Sequence, residues 1–260
     1  MTVRVKVLGC PVDDVDMNDL LDHVHHHMEQ GIKQWYTSIN VANWYAYTHF
    51  PEIATLIDEA PLITADGWPI AWASRVIHHV PLPRIPAMNF LDALLTNRQA
   101  KGQRIFLLGG QPGTAEQAGI RLQAKYPHVS VVGAFHGFLN QPEVELEALN
   151  AIVQARPSIL ILGMGTPHEQ KWLSLYFSRI PAVMAVGIGG GIDILAGIKK
   201  RAPGWMQKSG LEWLYRLVHE PGRLSRRYVK TSWSFAWQVL RVMWTWPGDH
   251  IGSYSGKKGA

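Results

Sequence analysis

Six short stretches of the chain are apolar almost throughout, and each stops at a glycine or a small polar residue. They are Trp35–Asn40, Pro61–Ala65, Arg104–Gly109, Ser130–Gly133, Ile159–Gly163 and Val183–Gly187. A strand with one wet face alternates polar and apolar residues. A run without that alternation needs cover on both faces, as in a parallel sheet flanked by helices. The intervening segments supply such cover: Met17–Gln30, Val41–His49 and Thr114–Tyr126 carry helical spacing. Val3–Leu8 adds one more short β-branched run. The pattern predicts an α/β fold with a Rossmann-like parallel-sheet body built from βαβ units. No internal repeat or low-complexity tract interrupts it.

At 260 residues, 47% of them hydrophobic, the chain has ample material for a packed core. The single cysteine, Cys10, rules out a disulfide framework and any Cys-based zinc or iron–sulfur site, and fits a reducing compartment. No apolar run reaches the roughly 18 residues of a spanning helix, and the first residues are too briefly apolar for a signal peptide. The expected location is therefore the cytoplasm.

Charge is unevenly placed. Residues 1–198 carry 13 basic and 17 acidic side chains, a net of −4, whereas residues 199–260 carry 12 and 3, a net of +9. The basic segment also holds six of the eleven tryptophans: Trp205, Trp213, Trp233, Trp237, Trp244 and Trp246. This shift divides an α/β body, 1–198, from a helical appendage, 199–260. Arg223, Arg226, Arg227 and Lys230 recur at helical spacing, and so do Trp233, Trp237, Leu240 and Trp244. In one unbroken helix Lys230 and Trp237 would stand about 20° apart. Shared basic and aromatic stripes suit an element lying on an anionic, half-apolar surface. The alternative is a hairpin packed on its own body with Trp as core. A break near Thr231-Ser232 would uncouple the stripes.

Open α/β sheets bind ligands beyond the carboxyl ends of their strands. Thr37-Ser38-Ile39-Asn40 places polar groups at one such end, and Asp66-Gly67 places a carboxylate at another. Asp66 reads either as a general base with a raised pKa or as the cap of the helix starting near Trp68-Pro69. Gly109-Gly110 and the Gly187-Ile188-Gly189-Gly190-Gly191 loop suggest close backbone approach to a phosphate-bearing ligand, with simple turns as the plain alternative. Neither is a Walker loop or a spaced dinucleotide fingerprint. Asp14-Val15-Asp16 matches a metal-binding pattern of sugar-nucleotide transferases, but its place before a helix favours N-capping. His23 and His27 form an i, i+4 pair without an evident third ligand.

These residues resemble the WecG/TagA/CpsF family of glycosyltransferases (family 26). The resemblance runs from about Val3 to Arg241. It is carried by Lys200-Arg201-Ala202-Pro203, Gly210-Leu211-Glu212-Trp213-Leu214-Tyr215-Arg216-Leu217 and Glu220-Pro221-x-Arg223, with Phe106 through Gly113, Gly163-Met164-Gly165-x-Pro167 and Thr37-x-x-Asn40 … Asp66-Gly67 in support. It implies an inverting, metal-independent transfer from a UDP-sugar to a polyprenyl-diphosphate-linked saccharide at the cytoplasmic face of the cell membrane, in exopolysaccharide or cell-wall polymer synthesis. No cofactor is implied, and a homo-oligomer is compatible.

The family's base falls on Asp66, with Thr37 and Asn40 beside it and Arg84 on the donor diphosphate. Gly109, Gly110, Glu169, Gln170, Gly187, Gly189, Gly190 and Asp193 are the further substrate-binding candidates. The appendage supplies Arg216, Arg223, Arg226 and Arg227 toward membrane and lipid diphosphate. Two departures mark the chain: Ala87-Met88-Asn89 where the family has Gly-x-Asp, and Glu169-Gln170 where it has Gln-Glu. The rival readings are an NAD(P)-dependent oxidoreductase, which lacks the glycine fingerprint, and a non-enzymatic anionic-surface binder. The latter leaves Asp66 unexplained, and nucleic acid is not an expected partner.

Overall fold

A computed structural model of the chain describes residues 3–219 and 221–245, with backbone alone at positions 208, 221 and 223–228. The chain opens with β1 (Val3–Val7), β2 (Cys10–Asp14), α1 (Met17–Glu29), β3 (Gln34–Ile39), α2 (Val41–His49), α3 (Pro51–Asp58), β4 (Leu62–Ala65), α4 (Trp68–His78) and α5 (Ala87–Thr96). It continues with β5 (Arg104–Gly109), α6 (Thr114–Lys125), β6 (Ser130–Phe135), α7 (Pro142–Ala155), β7 (Ile159–Gly163), α8 (His168–Tyr176), β8 (Met184–Gly187) and α9 (Gly191–Leu195). Three helices close it: α10 (Gly204–Lys208), α11 (Glu212–His219) and α12 (Pro221–Thr245).

Strands β3 to β8 form one six-stranded sheet in the order β4-β3-β8-β7-β5-β6, every pair parallel. The unbroken apolar runs have a direct cause. Ile105 and Leu107 point into one core with Ile159, Ile161, Met184 and Val186. Phe106 and Leu108 point into the opposite core with Leu160, Leu162 and Ala185. Each strand side chain alternates between two dry layers, so apolar residues dominate the runs; the polar exceptions in β3 and β4, Gln34, Thr37, Ser38 and Thr64, are themselves buried.

Strands β1 and β2 stand apart as an antiparallel pair. Arg4 Nε meets Asp13 Oδ1 at 2.7 Å, and Asp13 Oδ2 accepts from the Ile63 amide at 2.8 Å, tying the hairpin to β4. Asp16 caps α1, accepting from the Asn18 and Asp19 amides at 2.8 and 2.9 Å, so Asp14-Val15-Asp16 serves as a helix start. The His23 and His27 rings meet edge to face at 4.0 Å, and among the described residues no cluster of three His, Cys, Asp or Glu could hold a metal.

Helix α12 runs without a break through Thr231-Ser232. It packs on α2 through Phe235 and Val239, both buried, with the Phe235 ring edge-on to Trp44 at 4.9 Å. The tryptophans are not its core. Trp233, Trp237 and Trp244 are 76%, 63% and 97% exposed on the outward side, with Leu240 between them. Among the described residues no helix is long and apolar enough to cross a membrane.

Candidate active site

The carboxyl ends of β3, β4, β5, β7 and β8 open onto one cavity of about 1420 Å³. A site for one small ligand typically occupies roughly 300–1,000 Å³, so this one has room for more than a single small molecule. Its wall includes Thr37, Asn40, Asp66, Gly110, Glu169, Gln170, Gly187, Gly189, Gly190, Asp193 and Arg216 from the expected set. Residues 37 and 216 lie far apart in sequence, and β3 and α11 bring them to the wall of the same cavity. Gly109 and Arg84 do not line the cavity. Arg223, Arg226 and Arg227 have side chains outside the described residues.

Asp66 follows β4 directly, its amide donating to the Ile39 carbonyl at 2.9 Å. The two readings of this residue are separated by helix α4: its N-cap is Gly67, and no side chain caps it. The Asp66 carboxylate is therefore left to the cavity. Burial pushes its pKa above the ordinary carboxylate range; the Arg216 charge opposes the shift, Glu212 adds to it, and Arg84 and the Asn40 amide oppose it further. A carboxylate so placed is a stronger base than one in water. Asn40 holds the start of α2, its Oδ1 accepting from Ala42 and Asn43 at 2.9 and 3.1 Å. That cap fixes the loop end facing Asp66.

Glu169 and Gln170 begin α8, and both are buried. One oxygen of Glu169 gathers three amides: Met164 and Gly165 at 3.0 Å and Gly189 at 2.8 Å. The side chain thus pins the loop after β7 to the loop after β8. Burial raises its pKa from 4.5 to about 7, and the three amides pull in the opposite direction. Gln170 Nε2 donates to Thr37 Oγ1 at 3.0 Å, which leaves the Thr37 hydroxyl hydrogen for a ligand.

The glycines have several distinct causes. A Cβ on Gly109, whose φ is +155°, would stand 2.6 Å from the Gly163 backbone, and one on Gly187 would stand 2.7 Å from Glu169 Oε2. These positions need glycine for packing within the protein. Gly190 has nothing within 4 Å of its added Cβ, so close packing by the protein does not account for it.

The cations around the cavity are mostly engaged. Lys199 Nζ meets Asp193 Oδ2 at 2.8 Å, and Arg216 Nη2 meets Glu212 Oε1 at 2.8 Å. Arg84 braces the wall from outside: Nε donates to the Asp66 carbonyl at 2.7 Å, Nη1 to the Gln207 carbonyl at 2.9 Å, and Nη2 reaches Glu212 Oε2 at 3.5 Å. Arg201, not expected from sequence as a contact, lines the cavity and donates Nη2 to Asn89 Oδ1. Lys230 also lines it, with its ammonium 5.4 Å above the Tyr45 ring.

Residues 5–247 match the model of the glycosyl transferase WecG/TagA/CpsF family. The chain belongs to this family. It is accordingly a glycosyltransferase, and this chain's polar and charged groups converge on the cavity at the strand ends. Among similar proteins are N-acetylglucosaminyldiphosphoundecaprenol N-acetyl-beta-D-mannosaminyltransferases of Staphylococcus aureus. The proteins of strains MW2 and NCTC 8325 are each 28% identical over 235 residues, covering 86% of this chain and 88% of theirs.

Proposed function

We propose that this glycosyltransferase moves a hexosyl or N-acetylhexosaminyl group from a UDP-sugar to a polyprenyl-diphosphate-linked saccharide, with inversion at the anomeric carbon and Asp66 as the base. The observation that carries this reading is the Asp66 carboxylate, uncommitted to any helix cap, on the wall of a cavity large enough for donor and acceptor together. Asp66 takes the proton of the acceptor hydroxyl as its oxygen attacks the anomeric carbon, and the bond to UDP breaks on the opposite side. The Thr37 hydroxyl, held by Gln170, offers a donor to the substrate beside the base. Cationic side chains and loop amides oppose the charge that grows on the departing diphosphate, a task a divalent ion performs in other transferases. The chemistry of the S. aureus relatives makes UDP-N-acetylmannosamine the first donor to try.

The two-part organisation, 1–198 and 199–260, fits the same reading. The outward Trp233, Trp237 and Trp244 rings lie on the helix whose Lys230 lines the cavity. Indoles settle where hydrocarbon meets water, and lysine and arginine are drawn to anionic headgroups. Docked by this face on the cytoplasmic leaflet, the enzyme would meet a lipid-linked acceptor with its cavity already at the surface, and Arg216, Arg223, Arg226 and Arg227 would serve the lipid diphosphate. The deciding experiment incubates a panel of UDP-sugars with polyprenyl-diphosphate-linked N-acetylglucosamine and reads the product anomer by NMR. An inverted product from at least one donor is expected; a retained anomer would exclude the single displacement.

A further inference from the structure

Among the described residues that line the cavity, Arg201 is a cation whose side-chain hydrogen bond goes to an uncharged amide. Arg201 reaches the wall from the segment between α9 and α10, and its contact is to the side-chain oxygen of Asn89. Its Nε is buried without a partner. The carboxylates whose charge it feels are engaged elsewhere: Glu212 by Arg216 and Arg84, and Asp92 by Lys125 and Tyr126. The remaining one, Asp66, is the base of the reaction proposed above. Burial lowers the Arg201 pKa, which marks a guanidinium stripped of water without full compensation. A part-buried charge in that condition is stabilised by an anion that arrives with the substrate.

We propose that Arg201 is the diphosphate-binding cation of this cavity and that the Asn89 side chain orients its guanidinium. Arg84, the residue expected to do this, has its guanidinium in hydrogen bonds to two backbone carbonyls and against Glu212. Arg201 presents a planar fork with a spare donor, the geometry that suits phosphate oxygens. The Asn89 amide oxygen orients that fork without neutralising it. The assignment rests on the transferase reading for the identity of the ligand, but not for its chemistry. A diphosphate reaches such a cavity either in a nucleotide donor or at the head of a prenyl lipid.

The test measures binding to the full-length protein by calorimetry, using uridine, UDP, inorganic pyrophosphate and geranyl diphosphate. In Arg201→Gln, affinity for diphosphate-bearing probes should fall roughly tenfold to a hundredfold, as expected for a lost charge-assisted hydrogen bond, while uridine affinity holds. Asn89→Ala, which removes the acceptor that orients Arg201, should weaken the same probes in the same order but by less. Loss of UDP binding alone assigns Arg201 to the donor, and loss of geranyl diphosphate alone assigns it to the acceptor. Should the wild type bind pyrophosphate and neither UDP nor uridine, the transferase reading fails and Arg201 is judged on pyrophosphate. The proposal is overturned if both variants bind every diphosphate as the wild type does, if uridine affinity falls in step with UDP, or if the wild type binds no diphosphate.

Discussion

Replacing Glu169 with glutamine removes a buried charge and keeps an acceptor for the three amides of Met164, Gly165 and Gly189. The wild-type carboxyl titrates at about 7 in the folded protein against an ordinary 4.5. A raised carboxyl pKa means that the fold prefers the protonated form. Below 4.5 both folded and unfolded chains hold the proton, and this group costs nothing. Between 4.5 and 7 the unfolded chain has released it and the folded one has not, so stability falls as pH rises. Above 7 the loss is complete and amounts to roughly 3 kcal/mol, an order-of-magnitude figure for a shift of this size. Glu169→Gln cannot titrate and should not show this component. Urea unfolding of both proteins at pH 4.5 and pH 8 isolates it, since all other groups cancel in the double difference. The variant should gain on the wild type by up to that amount on going to pH 8. Equal pH dependence in the two proteins, or a variant that loses ground as pH rises, would refute the account of Glu169 as a desolvated carboxyl that joins two loops.

Asp66→Asn should lower kcat by roughly 10²- to 10⁴-fold, the usual span for a general base, and leave UDP affinity in place. Because a base must lose its proton before it can accept another, wild-type activity should rise with pH along a limb displaced above the ordinary carboxylate range, and the residual activity of the variant should lack that limb. Gly109→Ala forces a Cβ to 2.6 Å from the Gly163 backbone and should destabilise the fold by about 2–3 kcal/mol in thermal melts, whereas Gly190→Ala, with open space around it, should stay within about 0.5 kcal/mol. Changing Trp233, Trp237 and Trp244 together to serine should weaken sedimentation with anionic vesicles roughly tenfold or more and leave the melting temperature near wild type, because these rings are outside the core. Unchanged partitioning would remove the membrane role assigned to that face.

Much of this architecture was legible from residues 34–187. Strands covered on both faces have no reason to carry polar residues, so their apolar runs announced themselves, and the polar groups of the site had nowhere to sit but the strand ends. Asp16 likewise revealed its capping role through its place before a helical pattern. Other features had no local signal. Cys10–Asp14 contains a proline and two aspartates and resembles a turn; it is a strand because Asp13 is paired with Arg4 and with the Ile63 amide. The glycines at 109 and 187 suggested a ligand, yet the neighbours that exclude a side chain are Gly163 and Glu169. Arg84 was expected at the ligand, and nothing local showed that it braces the wall while Arg201 lines the cavity. Which arginine is tied down and which faces the cavity depends on Gln207, Glu212 and Asn89, partners between 112 and 128 positions distant from the arginines they hold. The stripes of α12 were visible in sequence, and the burial of Phe235 and Val239 decided which way the indoles face.

The cavity draws one wall from residue 37 and another from residues 212–231. During synthesis the sheet can therefore assemble while its last boundary is still inside the ribosome. Until residues 212–231 are in place the cavity lacks one wall, and the same helices that finish it carry the indole face outward. Closure of the cavity and display of the indoles therefore depend on the same two helices, α11 and α12.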